Sequence, residues 1–255
     1  MRRGAWVTIV RRLILAAAGA LLSGVAGASP ARAQPVTSAI VFAVDVSGSV
    51  NDERYELQRA GIASIFNDEG VDSLIEGGLA VALMEWSDEP TVIVPWTVLR
   101  TPADARNLAQ RINSVGRITG FSTGLSLALL RAADLLDACP VPALNRIIDI
   151  SGDGPNNGPI STPIARDQVV ARGFRINGLP IVTPAEPDLA QWYAANVVGG
   201  PGGFIEIAQG FEDFARAMRR KFLIEVSARP NTSAPAAADG AGVIRLAEPG
   251  ALGAR

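Results

Sequence analysis

The chain has 255 residues, a formal charge of −2, 48% hydrophobic residues, a single cysteine and no histidine. The missing histidine excludes histidine-containing zinc sites, the Ser-His-Asp triad and a histidine general base, and one cysteine excludes an intrachain disulfide. Nothing in the charge balance offers the basic surface that nucleic acid or anionic lipid would need.

Arg2, Arg3, Arg11 and Arg12 precede an uncharged apolar stretch at 13–27, and Ala31-Arg32-Ala33 follows. This pattern predicts an export signal over residues 1–33, cleaved before Gln34; the alternative is an uncleaved N-terminal anchor. The apolar core is short of the roughly 20 residues a membrane span needs. Removing 1–33 takes away five arginines and no acid, so residues 34–255 carry a formal charge of −7. The remaining length suffices for one α/β domain with a core of its own. The expected location is exported, periplasmic or secreted.

An apolar run, Ile40, Val41, Phe42 and Val44, ends at Asp45 and predicts a buried strand. Ser47, Gly48 and Ser49 follow, and 52–66 has helical spacing with acids in its first turn. Gly77-Gly78 releases a strand at 79–86, and 91–95 forms a short antiparallel edge strand that tolerates Pro95. A helix opens at Thr101-Pro102 and runs to about Val115. A second, strongly apolar helix begins at Ser122 or Thr123. Residues 147–150 are a strand leading into Ser151-Gly152-Asp153-Gly154. Then come a helix from Thr162, a strand at 175–182, a helix at 186–196, a short strand at 204–208 and a final helix at 211–224. Beyond Ser227 the composition turns to Ala, Pro, Gly and Asp, predicting a flexible tail over 228–255. Alternating strands and helices predict a doubly wound, mostly parallel sheet with one antiparallel edge strand and helices on both faces.

Three stretches carry chemistry. Asp45, Ser47 and Ser49 place a carboxylate and two hydroxyls at a strand's carboxyl end, where open α/β sheets bind ligands. These are hard oxygen donors suited to Mg²⁺, Mn²⁺ or Ca²⁺. The plainer alternative is that the serines cap the next helix while Asp45 closes an Asx-turn. Asp153 ends another strand, and two converging carboxylates call for a cation between them. The loop 116–124 supplies further hydroxyls from Thr119, Ser122 and Thr123. Its Gly120-Phe121-Ser122-Thr123-Gly124 matches a hydrolase nucleophile elbow, but no histidine exists to act as base. No phosphate-cradling G-x-x-x-x-G-K-[ST] loop is present. Asp149, a carboxylate inside an apolar strand, is expected to pair with Arg146 or another basic group.

Asp45-Val46-Ser47-Gly48-Ser49, the loop at 116–124 and Ser151-Gly152-Asp153-Gly154 together resemble the von Willebrand factor A domain and its metal-ion-dependent adhesion site. The resemblance covers residues 38–227, within a predicted domain of 34–227. The stretches at 84–87, 95–99, 146–157 and 176–181 are similar to an exported bacterial branch of such domains without assigned function. The resemblance implies that Ser47 and Ser49 bind a divalent cation directly. Asp45 and Asp153 would act through water or as hydrogen-bond partners. It implies a threonine ligand at Thr119, with Ser122 and Thr123 as alternatives; at the commoner threonine spacing this chain has Phe121. The implied function is a non-enzymatic, metal-dependent binding module that captures an Asp or Glu carboxylate of a protein partner. The competing readings are a metal-dependent phosphoesterase and a scaffold that has lost its metal.

Overall fold

The computed structural model describes residues 33–118 and 120–227. Except for Ala33, the expected signal segment lies outside these residues, as do the expected tail and Thr119. The elements in order are β1 (Val36–Asp45), α1 (Asp52–Ile65), α2 (Glu69–Ile75), β2 (Leu79–Trp86), β3 (Thr91–Leu99), α3 (Pro102–Ser114) and α4 (Leu125–Asp137). They continue with β4 (Ala143–Gly152), α5 (Thr162–Ala171), β5 (Arg175–Val182), α6 (Leu189–Asn196), β6 (Ala208–Gln209) and α7 (Phe214–Ser227). The strands form one sheet in the order β3-β2-β1-β4-β5-β6, parallel except for β3. The expected doubly wound architecture is therefore present.

Alternation along β1 sends its side chains to two separate cores, as a strand covered on both faces must do. Ile40, Phe42 and Val44 pack with residues of α1, α2, α3 and α7, including Ile62, Phe66, Ile112, Phe214 and Phe222. Ala39, Val41 and Ala43 meet α4, α5 and α6 through Leu129, Val169 and Tyr193. Small alanines on this second face let α4 lie close to the sheet. On the first face, α1 crosses α7 at Gly61, where an added Cβ would stand 2.8 Å from Phe214 Cδ1 and 3.1 Å from the Ala215 Cα. Gly61→Val is expected to lower unfolding free energy by about 1–3 kcal/mol through overpacking, measured by urea denaturation.

Several boundaries differ from the sequence reading for physical reasons. The helix α2 was not expected; its seven residues start with a glycine in the first turn and owe their fold to an Asp68 cap and to burial of Val71 and Ile75. The helix α4 begins at Leu125, not at Ser122 or Thr123, and its N-cap Gly124 makes no side-chain cap bond. Gly124 instead packs against the Ser87 carbonyl, with room for no Cβ. The strand expected at 204–208 shrinks to β6 at Ala208–Gln209, with Ile205 touching Gly178 only as an isolated bridge. Asp149 pairs with Lys221 of α7 at 2.6 Å rather than with Arg146, which reaches Asp137.

The chain runs from β1 outward to β2 and β3, then returns to β4 on β1's other side. The order of strands therefore reverses between β1 and β4, and the carboxyl ends of those two strands diverge into a crevice. Asp45 ends one; Asp153 immediately follows the other.

Candidate metal centre

Asp45 is carried out of the sheet between Val44, in register with Ser151, and Trp86, its own partner on β2. Its Oδ1 accepts the Ser47 N–H at 2.8 Å, so the Asx-type turn considered from sequence does form. That bond bends the chain back and places Ser47 and Ser49 side by side, their Oγ atoms 3.2 Å apart. Ser49 Oγ donates to Asp153 Oδ1 at 2.6 Å, across 104 residues of sequence. The serines do not cap α1. That role belongs to Asn51, whose side chain accepts from the Arg54 N–H at 2.9 Å. Asp45, Ser47, Ser49 and Asp153 thus converge, and all but Ser49 are buried.

The surroundings of Asp45 are dry and polar. Its Oδ2 has no hydrogen-bond partner, and the nearby Tyr193 hydroxyl and Trp86 indole N–H are likewise buried without one. A Cβ on Gly152 would come within 2.8 Å of Asp45 Oδ2 and 2.9 Å of the Tyr193 hydroxyl, so glycine is required for the carboxylate to sit there. Burial, helped by the charge of Asp153, pushes the Asp45 carboxyl up to about 7 against the hydrogen bonds from Ser47. Burial and the same two carboxylates push Tyr193 well above its ordinary value. A cation here would reverse the penalty on Asp45, since it favours the ionised form. The donor set fits a hard divalent ion: two carboxylates and two hydroxyls, with one carboxylate oxygen left unsatisfied. Among the described residues no three Asp, Glu or Cys side chains gather as a metal site, so a cation here would draw on hydroxyl or water oxygens as well.

The loop bearing Thr119 is fastened on both sides. Before it, Ile118 N–H donates to Glu85 Oε2 at 3.0 Å, and Arg117 pairs with Asp52 at 2.6 Å. After it, Asp88 accepts the N–H groups of Phe121 at 2.8 Å and Ser122 at 3.0 Å; the Ser122 side chain first, and these backbone bonds after it, hold its carboxyl below the usual range. Gly48 N–H donates to the Phe121 carbonyl at 3.2 Å, tying this loop to the serine turn. Phe121 itself projects outward, 88% exposed. Ser122 is held through its backbone, its carbonyl accepting from Ser87 Oγ at 2.9 Å. Thr123 lines the same concavity as Ser49 and Asp153, together with Arg54, Asn156, Asn157 and Glu186.

Sequence reading missed three contributors. Gln58 Nε2 donates to the Asp45 carbonyl at 3.1 Å, the Tyr193 hydroxyl and Asp45 Oδ2 both crowd Gly152, and Arg54 leans on Asp153. Gln58 was discoverable as a polar residue on the buried stripe of its helix; the other two carry no sequence signal.

The model of one protein family, described as "Protein of unknown function (DUF1194)", matches residues 35–230. The chain belongs to the DUF1194 family. No curated protein matches it. Solved structures place this DUF1194 chain in the von Willebrand factor A fold. Proximal thread matrix protein 1 from the mussel byssus superposes with a TM-score of 0.58 at 14% identity, covering 76% of this chain and 49% of that one. A further structure of that protein, described as having a zinc-occupied MIDAS motif, gives 0.53 at 16% identity, covering 72% and 44%. The pilus adhesin SpaC of Lactobacillus rhamnosus GG gives 0.55 at 12%, covering 76% and 30%. A von Willebrand factor type A protein of Catenulispora acidiphila gives 0.51 at 16%, covering 75% and 43%. The chain spans about half the length, or less, of these structures. The expected fold and the family resemblance are both borne out.

Proposed function

We propose that this DUF1194 chain is an exported, metal-dependent binding module. Residues 1–33 act as the export signal, and 34–227 form the A-type domain. Asp45, Ser47, Ser49, Thr119 and Asp153 hold a divalent cation, Mg²⁺ or Mn²⁺ in the first instance, with Ser122 and Thr123 as alternative hydroxyl donors. When bound, the ion supplies a Lewis-acid position that a partner's Asp or Glu carboxylate fills. The chain's own residues set the geometry: Ser47 and Ser49 present their hydroxyls, Asp153 orients Ser49, and Asp45 fixes the turn and neutralises the ion. The zinc-occupied motif of the mussel protein and the adhesin SpaC, on the same fold, support a binding role.

The observation that carries this reading is the juxtaposition of Ser49 Oγ and Asp153 Oδ1 at 2.6 Å beside the unpartnered, buried Asp45 Oδ2. Two carboxylates brought together in a largely buried crevice repel unless a positive charge compensates them. Isothermal titration of the purified protein with Mg²⁺, Mn²⁺ and Ca²⁺ is expected to give saturable binding of one ion. Absence of saturation with all three sinks the reading. A pull-down from cell-envelope extract in Mg²⁺ against EDTA then identifies the partner.

A further inference from the structure

Arg54 stands at the rim of the candidate site, outside the proposed ligand set. It is the third residue of α1, and its Nη1 donates to the Ser49 carbonyl at 2.7 Å while lying 3.6 Å from Asp153 Oδ2. The guanidinium carbon rests 4.8 Å from the centre of the Phe211 ring, which holds the group at the rim as a cation–π pair. Asp153 is thereby satisfied twice, by the Ser49 hydroxyl on one oxygen and by Arg54 on the other. Its side chain is 4% exposed, whereas that of Arg54 is 39% exposed and opens onto the concavity that contains Ser49, Asp153 and Thr123.

Resting on the metal-binding reading above, we propose that Arg54 is a resident counter-cation that competes with the metal for Asp153. Once the metal has taken over that carboxylate, Arg54 becomes a second anchor for the partner. The preferred partner then presents two neighbouring acidic groups, one for the ion and one for the arginine. A guanidinium and a divalent ion sharing one carboxylate repel each other, so the arginine weakens cation binding in the free protein. The same positive charge, released from Asp153, attracts an anion. Of its five N–H donors the structure commits only Nη1, so a planar fork remains for a bidentate carboxylate. Glu186 lines the same concavity and disfavours a longer acidic tract there, which limits the motif to a pair.

The test uses Mn²⁺ alone and then, at saturating Mn²⁺, two synthetic peptides with acetylated N-termini and amidated C-termini, Gly-Asp-Gly-Gly and Gly-Asp-Asp-Gly, on wild type, Arg54→Ala and Arg54→Lys. Arg54→Ala is expected to bind Mn²⁺ about tenfold more tightly, the factor that one unit charge beside a divalent ion supplies even in a water-like dielectric. It is expected to bind the two-acid peptide about tenfold more weakly and the one-acid peptide unchanged. Arg54→Lys keeps the Mn²⁺ affinity of wild type but loses part of the two-acid preference, since a point charge replaces the fork. A residue that merely propped up Asp153 would weaken Mn²⁺ binding when removed. Unchanged or weaker Mn²⁺ binding in Arg54→Ala therefore overturns the proposal, as does a two-acid preference that survives the substitution. If wild type itself shows no saturable Mn²⁺ binding, the metal reading falls and this proposal falls with it.

Discussion

Lys221→Met is expected to lower the unfolding free energy by about 3–5 kcal/mol, the cost of breaking a buried ion pair from one side. Lys221 is the chain's only lysine and is fully buried on α7. Its Nζ lies 2.6 Å from Asp149 Oδ2 of β4 and 2.6 Å from Glu225 Oε1 one turn along α7. Asn177 of β5 donates to the same Glu225 oxygen at 2.8 Å. Methionine matches the length of the lysine stem but leaves two carboxyl groups facing each other without a cation. The triple variant Lys221→Met, Asp149→Asn, Glu225→Gln is expected to recover most of the loss, because neutral amides need no buried counter-cation. Urea denaturation of the three proteins checks this; equal stability of Lys221→Met and wild type would show that the ion pair contributes nothing.

The same cluster gives the protein a pH dependence of definite sign. Burial, reinforced by the Glu225 charge and only partly offset by Lys221, pushes the Asp149 carboxyl from 3.8 up to about 8. Between those values the folded protein keeps a proton that the unfolded chain has released. Stability from this group is complete below pH 4 and is lost as pH rises through about 8. The urea midpoint is thus expected to fall between pH 5.5 and pH 8.5, and to fall less in Asp149→Asn.

Asp45→Asn is the second large effect, and its two consequences have opposite signs. Cation affinity is expected to drop at least about 100-fold, because an amide cannot neutralise the ion proposed at Ser47, Ser49 and Asp153. Stability of the cation-free protein is expected to rise by about 1–3 kcal/mol, since the substitution removes an unpartnered buried carboxylate oxygen. The asparagine oxygen can still accept the Ser47 N–H. Mn²⁺ titration and thermal melting in EDTA read the two effects separately. A variant that loses both stability and affinity would mean that Asp45 serves the fold rather than an ion.

The strand-end cluster was legible because its cause is local: an apolar run that stops at a carboxylate, followed by hydroxyls at alternate positions. Asp153 was legible for the same reason at the end of β4, and the switch of strand order that brings it to Ser49 follows from alternating strands and helices. Lys221 was not legible as the partner of Asp149, because 72 residues separate them and helical spacing cannot say which strand α7 crosses. Arg54 was hidden by its ordinariness, one charged residue among several in a helix's first turn. The start of α4 was misplaced because Ser122 and Thr123 have the chemistry of caps, whereas the deciding contact is the carbonyl of Ser87 against Gly124.

The two margins of the sheet bear on how a partner can be recognised. On one side β3 carries Pro95, which has no N–H to offer, and its pairing with β2 is interrupted by register shifts near Leu83. On the other side β6 contributes only Ala208 and Gln209. Pro95 therefore interrupts the outer edge of β3 midway, and β6 is only two residues long. Both features work against β-augmentation, which reads main chain and tolerates many sequences. On the proposed binding role, selectivity rests with side chains at the crevice, where single substitutions can redirect it.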